Sequence, residues 1–237
     1  MTVLQHIILY SLLSGSTVFL GGLLSHYFGA HVKNGIVKAE IIHSSTAFGG
    51  GILMAAVGLV LVPEGIRVLS LAPMVLFFLA GAITFFFIDR YIERKGGTMA
   101  QLLGMLSDFV PEAIAMGAVF VENTNLGILL AIIIGIQNLP ESFNAYLDLK
   151  SIYSAKRCLF ILFLLSFSGI ISSLVGYYFL ADMPRTIGAL MLFSGGGVIY
   201  LIFQDIAPMS RIKKSWIPAL GASLGFLVGM IGVKVLG

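Results

Sequence analysis

Two short segments near the middle of the chain, Asp108-x-x-Pro111-Glu112 and Gln137-x-x-Pro140-Glu141, place acids, a carboxamide and a proline inside runs otherwise suited to lipid. Residues i and i+4 share one face of a helix, so Asp108 stands over Glu112 and Gln137 over Glu141. If the two faces meet, Asp108, Glu112 and Glu141 supply three negative charges and Gln137 a neutral carbonyl oxygen in a dry space. Like charges that close cannot all stay ionised without a cation. Oxygen donors at this density suit a divalent metal ion, and helical spacing puts Asn138, Asn144 and Met116 on or near the same surfaces. The prolines add to this. Pro111 cannot donate to the carbonyl of Ser107, nor Pro140 to that of Ile136, which predicts a kink and a free oxygen beside the carboxylates.

An acid at the centre of a membrane helix costs about 2.5 to 3.5 kcal/mol, so Asp108, Glu112 and Glu141 together oppose insertion by roughly 8 to 10 kcal/mol. They must nevertheless sit in a membrane. Of the 237 residues 58% are hydrophobic and only 11% charged, and the mean hydropathy is +1.02, outside the range of a soluble domain of this size. Eight runs are long enough to span, at roughly 2–27, 41–63, 72–89, 98–121, 125–147, 157–180, 186–207 and 215–235. The first has neither a basic front nor a small-residue cleavage site and reads as a retained helix. The expected class is an all-α membrane protein, a single polytopic transmembrane domain over residues 1–237. The single cysteine, Cys158, excludes an internal disulfide and a cysteine-rich metal cage.

Of the Lys and Arg residues, eleven fall in the connections after the first, third, fifth and seventh spans, among them Lys33, Arg94, Lys95, Lys150, Lys156, Arg157, Lys213 and Lys214. The other side has three, Arg67, Arg185 and Lys234. Because basic loops stay in the cytoplasm, this asymmetry places both termini outside, in a multi-pass protein of the cell membrane.

The chain also repeats itself. The two proline-glutamate segments are offset by 29 residues on consecutive spans that run in opposite directions. Gly49-Gly50-Gly51 in the second span is followed 12 residues later by Pro63, and Gly195-Gly196-Gly197 in the seventh is followed 11 residues later by Pro208. That grouping is a 3+2+3 inverted repeat, an arrangement typical of transporters with a substrate site near the midplane. Glycine triplets by themselves also serve close helix packing.

Pro111-Glu112 and Gln137-Asn138-Leu139-Pro140-Glu141 resemble the central motifs of the ZIP (Zrt/Irt-like) family of divalent metal transporters, and the likeness covers nearly the whole chain. It implies eight spans with both termini outside, a three-two-three repeat, and import of a divalent ion (zinc, iron or manganese) through a carboxylate site between the fourth and fifth spans. Under the resemblance Asp108 takes the position of a helix-4 histidine, Glu112 that of the metal-binding glutamate, and Gln137, Asn138 and Glu141 those of their helix-5 counterparts. Pro63-Glu64 and Asp205-x-x-Pro208 are similar to acidic, proline-containing helix ends in the family, which makes Glu64 and Asp205 candidate entry and exit carboxylates. The chain departs from the pattern at Phe109, where the family has an asparagine, at Ala113 and Ser142 in place of glycines, and in a sixth span without an acid. The resemblance therefore implies a single ion and a harder, oxygen-rich site, better suited to Mn²⁺ or Fe²⁺ than the family's histidine would make it.

The expected metal set is thus Asp108, Glu112, Gln137, Asn138, Glu141 and Asn144. No catalytic residue and no permanently bound cofactor are expected. The expected partners are the ion, the lipid bilayer and a second copy of the chain as a homodimer, without nucleic acid. Paired carboxylates can also activate water, so an intramembrane hydrolase is one alternative. A metal-sensing protein that kept the fold and lost transport is another.

Overall fold

The computed structural model of the protein describes residues 2–32, 35–94, 100–212 and 215–237. Four of the basic residues used for the topology argument, Lys33, Lys95, Lys213 and Lys214, lie outside them. Among the described residues there is no strand, and eight helices are long and apolar enough to cross a membrane. They are α1 (Val3–His31), α2 (Gly35–Val68), α3 (Leu71–Arg94), α4 (Ala100–Glu122), α5 (Thr124–Lys150), α6 (Ala155–Leu180), α7 (Pro184–Met209) and α8 (Ile217–Leu236). Most overrun the spans expected from hydropathy by several residues, because polar caps extend a helix beyond its apolar stretch. Thr2 and Gln5 form a reciprocal capping box at the start of α1.

The protein is a multi-pass helical bundle of membrane type, and its burial is inverted relative to a soluble core. Polar Ser11, Ser14, Asp108, Glu112, Gln137 and Asn138 are buried, while Leu76, Phe87, Phe179 and Leu224 are exposed on the outside, where lipid accepts them. The helices α2, α5 and α7 form the centre, and α3 and α8 are the most exposed. Outer α8 packs on α2 and outer α3 on α7, α1 lies along α5, α6 along α4, and α4 and α5 pack on each other.

Small residues set these crossings. At α2–α8, a Cβ on Gly51 would overlap the carbonyl oxygen of Ala222, and one on Gly225 that of Phe48. At α7–α3 the same reciprocal pattern recurs: Gly196 faces the carbonyl of Phe78, and Gly81 that of Phe193. Without a side chain at these points the backbones touch, which in lipid is the main source of helix association.

Backbone irregularity falls in different places from those the sequence suggests. Pro111 and Pro140 lie within helices that continue through them. The breaks are instead in α2, α6 and α7. Residues Val57–Leu61 and Ile202–Ile206 are π-helical, with Val62 N donating to Val57 O and Ala207 N to Ile202 O, each immediately before a proline, Pro63 or Pro208. A wide turn there absorbs the donor that proline lacks and moves its ring away from the preceding turn. The sixth span is interrupted at Ser166 and Phe167, between Ala155–Leu165 and Ser168–Leu180. There the carbonyl of Ser166 lies against Gly15 of α1.

The α3–α7 crossing yields a direct test. Gly196→Ala is expected to destabilise the detergent-purified protein by about 1 to 3 kcal/mol through overpacking against Phe78. Gly104→Ala, where nothing lies within 4 Å of the added methyl, should leave thermal unfolding unchanged or raise its midpoint.

Candidate metal centre

A single residue, Asn123, separates α4 from α5, and its side chain caps α5 by accepting from the N–H of Leu126 at 3.0 Å. The tight turn makes the two helices antiparallel neighbours. Glu112, Gln137 and Asp108 lie eleven, fourteen and fifteen residues from it. At the α-helical rise, that puts them about 16 to 22 Å along the hairpin, near the middle of a membrane-thick bundle.

The facing of the two segments expected from their spacing is present. Gln137 Nε2 donates to Glu112 Oε2 at 2.5 Å, across the α4–α5 interface. Glu141 lies within electrostatic reach of both Asp108 and Glu112. Asp108, Glu112, Gln137 and Asn138 are all at most 2% exposed. Asp108 Oδ1 accepts the N–H of Phe109 at 2.7 Å. Asn138 Nδ2 donates to the carbonyl of Ser14 at 3.3 Å, which ties the site to α1.

What remains unsatisfied is informative. Glu112 Oε1, Gln137 Oε1, Asn138 Oδ1 and both carboxylate oxygens of Glu141 are buried without a hydrogen-bond partner. Five acceptors without a donor are costly in a low-dielectric interior. All five come from the two segments singled out by sequence, and each has a lone pair available to a cation. Among the described residues no three His, Cys, Asp or Glu side chains group as a metal site by themselves. The unpartnered oxygens thus include two carboxamides alongside the carboxylates. Met116, one turn beyond Glu112, is fully buried among apolar neighbours.

Asn144 is placed differently from the rest. One turn beyond Glu141, its Nδ2 donates to Thr46 Oγ1 of α2 at 2.9 Å, so its amide secures α5 to α2. Neither Thr46 nor the carbonyl of Ser14 was legible as part of the site. Their partners lie 98 and 124 residues away in the chain, and no local pattern signals such a pair.

The two outlying carboxylates occupy opposite ends of the bundle. Glu64 is paired with Arg67 at 2.9 Å and lines a cavity of about 350 Å³ with Glu122, Asn123 and Pro184. Asp205 sits in the π-helical turn of α7, close to Asp89 and Glu93 of α3, and Tyr200 donates to Asp89 at 2.8 Å. Both stand apart from the α4–α5 site.

Comparison of the sequence with protein-family models and with curated proteins finds no match.

The unpaired oxygens of Glu141 lead to a stability test. In chelator, Glu141→Gln should melt at or above the wild-type temperature, since an unpartnered buried charge has been removed. Added MnCl₂ should raise the wild-type midpoint, with a gain of about 2.7 kcal/mol at a hundred times the dissociation constant. The variant should show no such rise.

Proposed function

We propose that the chain is a divalent metal cation transporter with ZIP-like architecture, moving ions across the cell membrane toward the cytoplasm through the carboxylate site between α4 and α5. The observation that carries this reading is the set of five buried, unpartnered oxygens on Glu112, Gln137, Asn138 and Glu141, with Asp108 beside them, at mid-depth in a membrane bundle. In this reading a cation is the partner these oxygens lack.

The 3+2+3 inverted repeat is part of the proposal. Its support is a constant shift of 145 residues that carries Phe48 onto Phe193, Gly51 onto Gly196, the π-helical turn at 57–61 onto that at 202–206, and Pro63 onto Pro208. The packing partners exchange in the same way, α8 on α2 for α3 on α7, and α1 on α5 for α6 on α4. An inverted repeat gives two alternative packings of related halves, the basis of alternating access. In such a cycle α2 and α7 with their outer partners rock against the α4–α5 pair, and the π-helical turns supply the compliant points. The excess of basic residues in the odd-numbered connections supports cytoplasmic placement of those connections, with both termini outside. By this orientation Glu64 stands at the entry side and Asp205 at the exit side.

Reconstituted into liposomes, the wild-type protein should take up divalent metal, and Glu112→Ala and Glu141→Ala should each reduce initial uptake by about tenfold or more. Undiminished uptake in both variants would refute the transport reading.

A further inference from the structure

We propose that the chain holds an anionic phospholipid at the membrane end shared by α7 and α8. An acyl chain lies in the cleft between α2, α7 and α8, and the headgroup lies against Arg211. The site is separate from the carboxylates of α4 and α5 and does not depend on what they bind.

Two cavities meet there. The deeper, of about 470 Å³, lies between Gly50, Gly51 and Met54 of α2, Phe203 and Ile206 of α7, and Phe226 of α8. The outer, of about 780 Å³, is formed by the end of α7, the connection after it and the start of α8. Ala207 and Ser210 line both, so the two adjoin. Along α7 the distance from Ser210 to Phe203 is about 10 Å at the helical rise, which carries the deeper cavity from the connection into the apolar layer.

The cleft is open because its side chains are small. Under the 145-residue shift, three of its positions also line the cavity of about 260 Å³ between α2, α3 and α7. Ala47, Ala207 and Ser223 stand at the cleft where Leu192, Val62 and Phe78 stand at that counterpart. The larger side chains occupy at α3 the space that the smaller ones leave at α8. Phe203 and Ser223 are exposed on the outside of the bundle, so the cleft opens toward lipid. Hydrocarbon is the component of a bilayer that matches its mainly apolar lining.

The outer cavity supplies the charge. Arg211 is exposed and lines it together with Ser215, and among the described residues neither cavity is lined by Asp or Glu. In sequence the same connection adds Lys213 and Lys214 and no acid, so it is net positive. A guanidinium presented where the apolar layer ends suits a phosphate with net negative charge, and a phospholipid brings its own hydrocarbon to the adjoining cleft. Trp216, 89% exposed, lines the same cavity, as expected of a ring at the level of the headgroups.

Trp216 is the single tryptophan of the chain and reports on the site directly. The full chain in phosphatidylcholine nanodiscs is given phosphatidylglycerol or phosphatidylcholine brominated on the acyl chains, at equal mole fraction. Brominated phosphatidylglycerol is expected to quench Trp216 with an apparent affinity about fivefold higher, the effect of one basic residue near an anionic headgroup. Arg211→Gln should bring that ratio close to one, and Arg211→Lys should retain it. Ser223→Phe should lower the phosphatidylglycerol affinity by about fourfold or more, as expected for at least one methylene of lost burial. Ala207→Val fills the same cleft if Ser223→Phe fails to fold. Equal quenching by the two lipids, an unchanged ratio in Arg211→Gln, or an unchanged affinity in a folded cleft-filling variant would overturn the proposal. So would displacement by soluble glycerol 3-phosphate, which makes this a site for free phosphate. Protection of Trp216 from both lipids in a cross-linked dimer would likewise overturn it, giving the face to a second copy of the chain. None of these readouts involves a metal ion, so their outcome is independent of the transport reading.

Discussion

The desolvation of the carboxylates of Asp108, Glu112 and Glu141 is the constraint on which the rest of the bundle depends. Lipid offers these groups nothing, so the protein must keep them inside and give them something to bind. The protein itself supplies little: one amide N–H from Gln137 to Glu112 and one backbone N–H to Asp108. Both oxygens of Glu141 remain without a donor. A carboxylate buried without a donor is costly in a low-dielectric interior. The carboxamide of Gln137 illustrates the same economy, since its N–H faces a carboxylate while its oxygen stays free.

Holding such a site at mid-membrane requires the surrounding helices to come close, and small residues make that contact. The reciprocal crossings at Gly51 and Gly225, and at Gly81 and Gly196, let backbone lie on backbone. This leaves α2, α5 and α7 at the centre, so that polar groups buried on one helix find neighbours on another. Asn138 reaches the carbonyl of Ser14 and Asn144 reaches Thr46, fastening α5 to α1 and α2 on either side of Glu141. The site is therefore fixed by four helices, although its oxygens come from two.

The regular and irregular stretches of the central helices are separated. The helices that carry the oxygens continue through their prolines, which preserves the i to i+4 register of Asp108 with Glu112 and of Gln137 with Glu141. The π-helical turns belong to α2 and α7, just ahead of Pro63 and Pro208.

Much of this was legible in the chain itself. Hydropathy alone defines eight membrane-length helices, because a bilayer demands about twenty apolar residues whatever they pack against. The facing of Glu112 and Gln137 was equally readable, since a one-residue turn and helical periodicity act within a single hairpin. Three features depended on contacts between residues far apart in sequence and emerged only from the tertiary structure. The first is the placement of the irregular turns, where sequence pointed to Pro111 and Pro140 and packing put them at 57–61 and 202–206. The second is the commitment of Asn144 to Thr46, a bond across 98 residues. The third is the Phe109 ring closing the gap to Gly169. Periodicity fixes which face a residue occupies along its own helix; which neighbour meets that face is decided by how eight helices fill space together.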